Sequence, residues 1–144
     1  MTETIYFAYG SNMDVTQMGQ RCPSSGVLGL ARLEGHRFSI NSRGVATLIP
    51  DVSTQVFGVL WHLASEDEVA LDDYEGVPVS YQKQWAPVDA GLSTVDALIY
   101  IANDCTAGLP RPRYMERIVA AAEEHGIEPN YLAELRKWVN MRSS

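Results

Sequence analysis

An apolar, aromatic-rich run, Tyr6-Phe7-Ala8-Tyr9, stops at Gly10 and is followed by two small polar residues, Ser11 and Asn12. Aromatic side chains suit a pleated, buried surface and Gly-Ser-Asn is turn chemistry, so the stretch reads as a buried strand emptying into a tight loop. A glycine there can take positive φ and admit a ligand close to the backbone, while the amides that follow it can converge on an anion or a carbonyl oxygen. An ordinary strand-to-turn junction uses the same residue types, so this stretch alone leaves a structural and a ligand-binding role open.

The rest of the chain alternates strands with helices and ends helical. Residues 4–9 form the first predicted strand, and Met13 to about Gln20 a short helix capped by Asn12 or Asp14 and broken at Cys22-Pro23. From Ser24 to Leu33, Gly26 and Gly29 interrupt small apolar residues, which suggests an irregular connection or a short edge strand. His36 to Ile40 and Val45 to Ile49, joined by Asn41-Ser42-Arg43-Gly44, read as a hairpin that Pro50 ends. Gln55 to Leu63 is a further apolar strand in which Gly58 marks a bend or bulge, hence a curved sheet. Ser65-Glu66-Asp67-Glu68 has the capping-box pattern, so a helix runs from there to about Tyr74, and Gly76 suits the left-handed position that ends it. Glu75 then stands at the C-terminal edge of a rigid element opening into a loop, the placement a catalytic acid or base needs.

Tyr81 to Val88 and Thr94 to Ala102 are two more strands around an Asp89-Ala90-Gly91 turn, and a proline-containing loop spans 103–113. Met115, Ile118, Val119 and Ala122 share one face of a helix from about Tyr114 to His125, stopped by Gly126. A last helix starts near Pro129, with Leu132, Leu135, Trp138 and Val139 at helical spacing and Arg136, Lys137 and Arg142 near its negative end. The Trp138 face either packs within the domain or is shared in a homodimer. Strands in the first two thirds and helices at the end predict an α+β domain rather than a doubly wound parallel sheet.

At 144 residues, 46% of them hydrophobic and 20% charged, the chain makes one domain, residues 1–144, with a real core. A net charge of −7 argues against nucleic acid or an anionic membrane as the main partner, since both would be repelled. The opening Met1-Thr2-Glu3-Thr4 is acidic, and no apolar run approaches the roughly 20 residues of a membrane span, so a cytoplasmic location is expected. Cys22 and Cys105 fit neither a disulfide framework nor a zinc spacing and are expected to be reduced thiols.

A second stretch, Leu71-Asp72-Asp73-Tyr74-Glu75-Gly76-Val77, is followed by Tyr81 and, further on, by Pro110-Arg111-Pro112-Arg113-Tyr114. With these in place the sequence resembles the γ-glutamylcyclotransferase family, which is related to the AIG2-like proteins. Tyr9-Gly10-Ser11-Asn12 matches that family's opening substrate loop and Glu75-Gly76-Val77 the segment with its catalytic glutamate. The resemblance extends through Val45-Ala46-Thr47-Leu48 and Val56-Phe57-Gly58-Val59-Leu60-Trp61 to the C-terminal helices. It implies a small mixed β-barrel flanked by helices, with the ligand cavity at the barrel mouth.

The activity this resemblance implies converts a γ-glutamyl-amino acid or γ-glutamyl-amine into 5-oxoproline and the free amine. The substrate's α-nitrogen attacks its own γ-carbonyl, with no cofactor. Closing a five-membered ring is intramolecular, and well-oriented cases reach effective molarities of ~10⁵ M, so the protein has mainly to fold the substrate back and move protons. One carboxylate serves if its pKa is raised by burial, and Glu75, beside Leu71, Tyr74 and Val77, is the candidate. The amides near Gly10, Ser11 and Asn12 are suited to hold an oxyanion and the substrate α-carboxylate. By resemblance, Tyr6, Phe7, Ala8, Tyr9, Gly10 and Ser11 line the substrate site, Tyr114 binds substrate through its hydroxyl, and Tyr81 borders the glutamate.

Each residue has a plainer reading: Glu75 as a solvated helix-end carboxylate among Glu66, Asp67, Glu68, Asp72 and Asp73, the tyrosines as core packing, and Arg111 and Arg113 as solvated loop cations. A serine hydrolase is disfavoured because Ser11 lacks a Gly-x-Ser-x-Gly elbow, and no Gly-Lys-Ser/Thr ending makes the glycine loop a phosphate loop. His36, His62 and His125 form no ligand set with the cysteines, so no metal is expected. A non-catalytic small-molecule binding module with the same cavity remains the alternative. Glutathione, γ-glutamyl dipeptides and γ-glutamylamines are all compatible with the sequence.

Overall fold

Two long neighbouring strands carry the architecture, which we describe from a computed structural model for residues 4–141; Arg142 lies outside these. Strand β1 (Thr4–Ala8) leads through one turn of 3₁₀ helix at Ser11–Met13 into α1 (Val15–Arg21), whose first turn is capped by the Asp14 carboxylate accepting from the Thr16 amide. Then follow β2 (Gly26–Ile40), β3 (Ala46–Leu63), α2 (Ser65–Glu75), β4 (Tyr81–Asp89), β5 (Thr94–Ala102), α3 (Tyr114–His125) and α4 (Pro129–Lys137). The strands close into a barrel in the order β1-β3-β2-β4-β5, antiparallel except where β1 runs parallel to β5. Closure satisfies both sheet edges, and it seals at the β2–β4 seam through the pair Arg32 and Asp89, whose side chains form an ion pair at 2.7 Å. This is the α+β mixed barrel flanked by helices that the sequence suggested.

Three expectations change. The stretch 24–33 is neither an irregular connection nor a short edge strand: from Gly26 onward it belongs to the 15-residue β2, whose pairing shifts register between Val27 and Gly29 and again between Glu34 and His36. Pro50 does not end a strand. It sits opposite His36 at the second shift, where a missing N–H costs no regular ladder bond, and β3 continues for 18 residues to Leu63. Gly58 marks no bulge either, since the pairing is regular from Leu30–Val59 to Arg32–Phe57; it is glycine because the Phe7 ring and the Ala8 carbonyl lie directly over it.

The barrel core is built from Phe7, Leu48, Val59, Leu63, Leu98 and Ile99, all essentially inaccessible, and α3 covers it with Met115, Ile118 and Ala122. Trp138 packs edge-on against Phe38 of the same chain, with ring centroids 6.2 Å apart. Both cysteines are unpaired, Cys22 buried and Cys105 exposed. Among the described residues no helix is long and apolar enough to cross a membrane.

Helix α2 matters most because it delivers Glu75. Its start differs from the expected capping box: Ser65 makes no cap, and the Glu68 carboxylate binds Thr4 Oγ1 at 2.8 Å and Lys83 Nζ at 2.5 Å instead. The anchor is Asp67, only 3% exposed, whose Oδ2 accepts from the Ser24 amide and the Ser25 hydroxyl, both at 2.8 Å. In the sequence Asp67 is one acid of a helix-start cluster, and in the fold it ties α2 to the α1–β2 connection. Asp67→Ala takes the shared acceptor from these two part-buried hydrogen bonds and unties α2 from the connection, and a loss of about 1 kcal/mol in urea unfolding is the expected result.

Candidate active site

The C-terminal ends of β1 and β5 and the N-terminal ends of β3 and β4 lie at one end of the barrel, and between them opens a cavity of about 310 Å³. One wall is the glycine loop. Hydrogen bonds from the Met13 amide to the Gly10 carbonyl and from Asp14 to Ser11 close the 3₁₀ turn, so the amides of residues 10–12 are those that an opening turn leaves without an intrahelical acceptor. Gly10 does not adopt positive φ, as its sequence context allowed; it sits at φ −120°, and a Cβ there would make ordinary contacts, 3.4 Å from Ala46 Cβ and 3.8 Å from the Tyr114 hydroxyl.

Asn12 is buried and both polar atoms of its side chain are hydrogen-bonded. Its Nδ2 donates to the Tyr6 hydroxyl at 2.9 Å, and its Oδ1 accepts from Gln17 Nε2 at 2.9 Å and Arg21 at 3.0 Å. The side chain therefore clamps the loop to β1 and α1, and the backbone amide is what Asn12 offers a ligand. Ser11 Oγ is likewise held by Gln17 at 3.0 Å.

Another wall is the end of α2. Gly76, at φ 72° and ψ 40°, takes the left-handed turn and returns its amide to the Asp72 and Asp73 carbonyls, which stops the helix with the Glu75 side chain on the cavity. Burial pushes the Glu75 carboxyl up to about 7, against the pull of the Arg21 guanidinium. The negative end of the helix acts in the same sense as burial. Glu75 makes no hydrogen bond among the described residues, so both oxygens are free to exchange a proton with a guest.

Tyrosines complete the lining. Tyr81 donates to the Ala46 carbonyl at 2.7 Å while Tyr114 accepts from the Ala46 amide at 3.0 Å, so one residue of β3 orients both rings. Tyr9 donates to the Tyr100 carbonyl at 2.5 Å, and Tyr100 donates to Asp72 at 2.6 Å. Tyr6 and Tyr114 each accept a hydrogen bond and have no acceptor for their own O–H among the described residues, so these two protons are available to a ligand. Burial raises every one of these hydroxyls, Tyr114 to about 12, so they remain donors at neutral pH. Tyr114→Phe leaves the Ala46 amide without its acceptor; the expected result is about 1 kcal/mol of lost stability in thermal unfolding together with a raised KM for substrate.

The cavity thus gathers Glu75, Tyr6, Tyr9, Gly10, Ser11, Asn12, Tyr81 and Tyr114 from the sequence candidates. Phe7 and Ala8 do not line it: both are completely buried in the barrel, where the Phe7 ring packs over Gly58. Arg113 is also absent from the lining and stands instead as the left-handed residue, φ 63°, that turns the chain into α3. Sequence reasoning missed Arg21, Arg43 and Tyr100, named Tyr74 only as a neighbour that desolvates Glu75 and read Arg111 as a solvated loop cation, whereas all five border the cavity. Arg21, in the last turn of α1, lies over the Tyr74 ring at 4.8 Å, an arrangement to which neither residue's neighbours in sequence point.

The AIG2-like family profile matches residues 55–135, more than half of the chain and a span that includes Glu75, Tyr81 and Tyr114. The chain belongs to the AIG2-like family. Among curated proteins, gamma-glutamylcyclotransferase of Homo sapiens is 26% identical over 92% of this chain and 77% of its own length, and that of Mus musculus 25% over the same shares. Among solved structures, one titled gamma-glutamyl cyclotransferase superposes on this AIG2-like chain with a TM-score of 0.89 at 24% identity, covering 99% of this chain and 90% of that one.

Proposed function

We propose that this AIG2-like protein is a γ-glutamyl cyclotransferase, in which Glu75 is the general acid/base for conversion of a γ-glutamyl amide into 5-oxoproline and the free amine. The observation that carries this reading is a carboxylate, unpaired among the described residues and raised to about 7 by burial, that shares a tyrosine-lined cavity with the Gly10 loop. A group with that pKa is split between its two forms at neutral pH, which suits one residue to both halves of a proton transfer. The names of the curated relatives support the same reading.

Ionised Glu75 takes a proton from the substrate α-ammonium and frees the lone pair. The α-nitrogen then attacks the γ-carbonyl carbon, and the oxygen becomes an oxyanion facing donors of the Gly10 loop and the free O–H of Tyr6 or Tyr114. Protonated Glu75 delivers its proton to the leaving nitrogen as that C–N bond breaks, and the second proton of the ring nitrogen follows by the same route. Products are the lactam and an ammonium, and neither water nor a metal enters the balance.

The test is incubation with a panel of γ-glutamyl dipeptides, glutathione and γ-glutamylamines, with 5-oxoproline and free amine quantified. Equimolar release of both supports the reading. Release of glutamate would make the protein a hydrolase, and ligand binding without any product would make the cavity a binding module. Because Glu75 must begin ionised, kcat/KM is expected to fall about tenfold per pH unit below a limb near 7.

A further inference from the structure

Acidic residues outnumber basic ones 18 to 11 in this chain, yet the cavity is bordered by three guanidinium groups, Arg21, Arg43 and Arg111, against the single carboxylate of Glu75. A γ-glutamyl unit has only one carboxylate, matched by its own α-ammonium, so this excess of positive charge exceeds what that half of the substrate requires. The three arginines are not equivalent. Arg21 is spent on Asn12 and Tyr74 beside Glu75. Arg43 and Arg111 are exposed and belong to the cavity mouth, while Tyr6, Tyr9 and Asn12 are buried at its inner end.

The two loops that carry the mouth arginines are tied together. Arg43 sits in the β2–β3 turn, which Asn41 holds by accepting from the Arg43 and Val45 amides at 3.0 and 3.3 Å. Arg111 locks onto that turn through its Nε, which donates to the Arg43 carbonyl at 2.8 Å, and its amide, which donates to Gly44 at 3.1 Å. Gly44 adopts φ 81°, and a Cβ there would come within 2.7 Å of Arg111 Cγ, so loop and turn fit only with glycine between them. Neither guanidinium forms an ion pair among the described residues. The acid whose charge Arg43 does feel, Asp104, is occupied by the Ser42 hydroxyl and the Thr106 amide.

We propose that Arg43 and Arg111 select the leaving group, favouring γ-glutamyl substrates whose departing amine bears a carboxylate over those whose departing amine is neutral or cationic. This rests on the cyclotransferase reading. Ring closure requires the α-amine at Glu75 and the γ-carbonyl near the Gly10 loop, so the γ-glutamyl half occupies the inner end and the leaving half extends to the mouth. There two planar cations from different loops suit a carboxylate, and among the described residues no acidic side chain lines the mouth to receive an ammonium.

The test compares γ-glutamylglycine with γ-glutamylglycinamide, which differ only in the terminal charge, for the wild type and for Arg43→Gln/Arg111→Gln. The expected wild-type preference for the acid is about tenfold or more in kcat/KM, expressed mainly in KM, and it shrinks as salt is raised. In the double variant the ratio falls toward one. Equal use of the two by the wild type, or a ratio unchanged in the variant, overturns the proposal. If neither compound yields 5-oxoproline, the cyclotransferase reading fails by itself, and calorimetric binding of the same pair to wild-type protein decides this one: tighter binding of the acid supports it and equal binding overturns it. The salt response of the wild type serves as the readout should the variant not fold.

Discussion

Glu75→Gln is expected to lower kcat/KM for 5-oxoproline formation by about 10²-fold or more while γ-glutamyl ligands still bind. Glutamine keeps the shape and polarity of the side chain but cannot take the α-ammonium proton, so the loss falls on kcat. Stability should move the other way. The folded pKa of about 7 lies above the ordinary 4.5, so between these values the folded state retains a proton that the unfolded state has released. Wild-type stability therefore falls as pH rises from about 4.5 to about 7 and stays reduced above that window. Glu75→Gln removes this burden, and its melting temperature should exceed that of the wild type at pH 8 while the two converge at pH 4. A variant that loses activity and is destabilised equally at both pH values would indicate a structural glutamate rather than a buried acid/base.

Gly58→Ala is expected to have the largest effect on the fold. The added Cβ would run into the Ala8 carbonyl and come within 2.8 and 2.9 Å of the Phe7 ring, on a strand locked in regular register with Ala31 of β2 and flanked by β1. A closed barrel has no free edge along which β1 could retreat. We expect a loss of about 3 kcal/mol or more in urea unfolding, hence a drop of some 6 °C or more in melting temperature. Phe7→Leu in the Gly58→Ala background should restore part of it, by making room over the strand. A single variant as stable as the wild type would show that β1 is not held as tightly as the barrel implies.

The legible parts of this protein were those governed by local chemistry. The left-handed stop at Gly76, the turn at 41–44, the strands 81–88 and 94–102 and the amphipathic α3 each follow from residue types a few positions apart. Local cues failed where a distant partner changed their meaning. Pro50 is a strand breaker by itself, but it is accommodated in β3 at a register shift opposite His36. Ser65 and Glu68 have capping-box spacing, yet Thr4 and Lys83 draw the Glu68 carboxylate elsewhere. Phe7 shares its run with Tyr6 and Tyr9 but faces the barrel interior over Gly58, and no feature within the heptapeptide announces that division.

The same boundary runs through the site. The sequence by itself determined that a glutamate stands at the end of a helix stopped by glycine, that a strand empties into a Gly-Ser-Asn loop, and that Tyr81 and Tyr114 begin their elements, because capping, turn and periodicity rules act within a few residues. Only the tertiary structure decided that these pieces line one cavity of 310 Å³, that the Ala46 backbone orients two tyrosines, and that Arg21, Arg43 and Arg111 border the same space. Barrel closure brings together residues more than 60 positions apart, and burial among those residues, a property of the assembled walls, is what sets the proton affinity of Glu75.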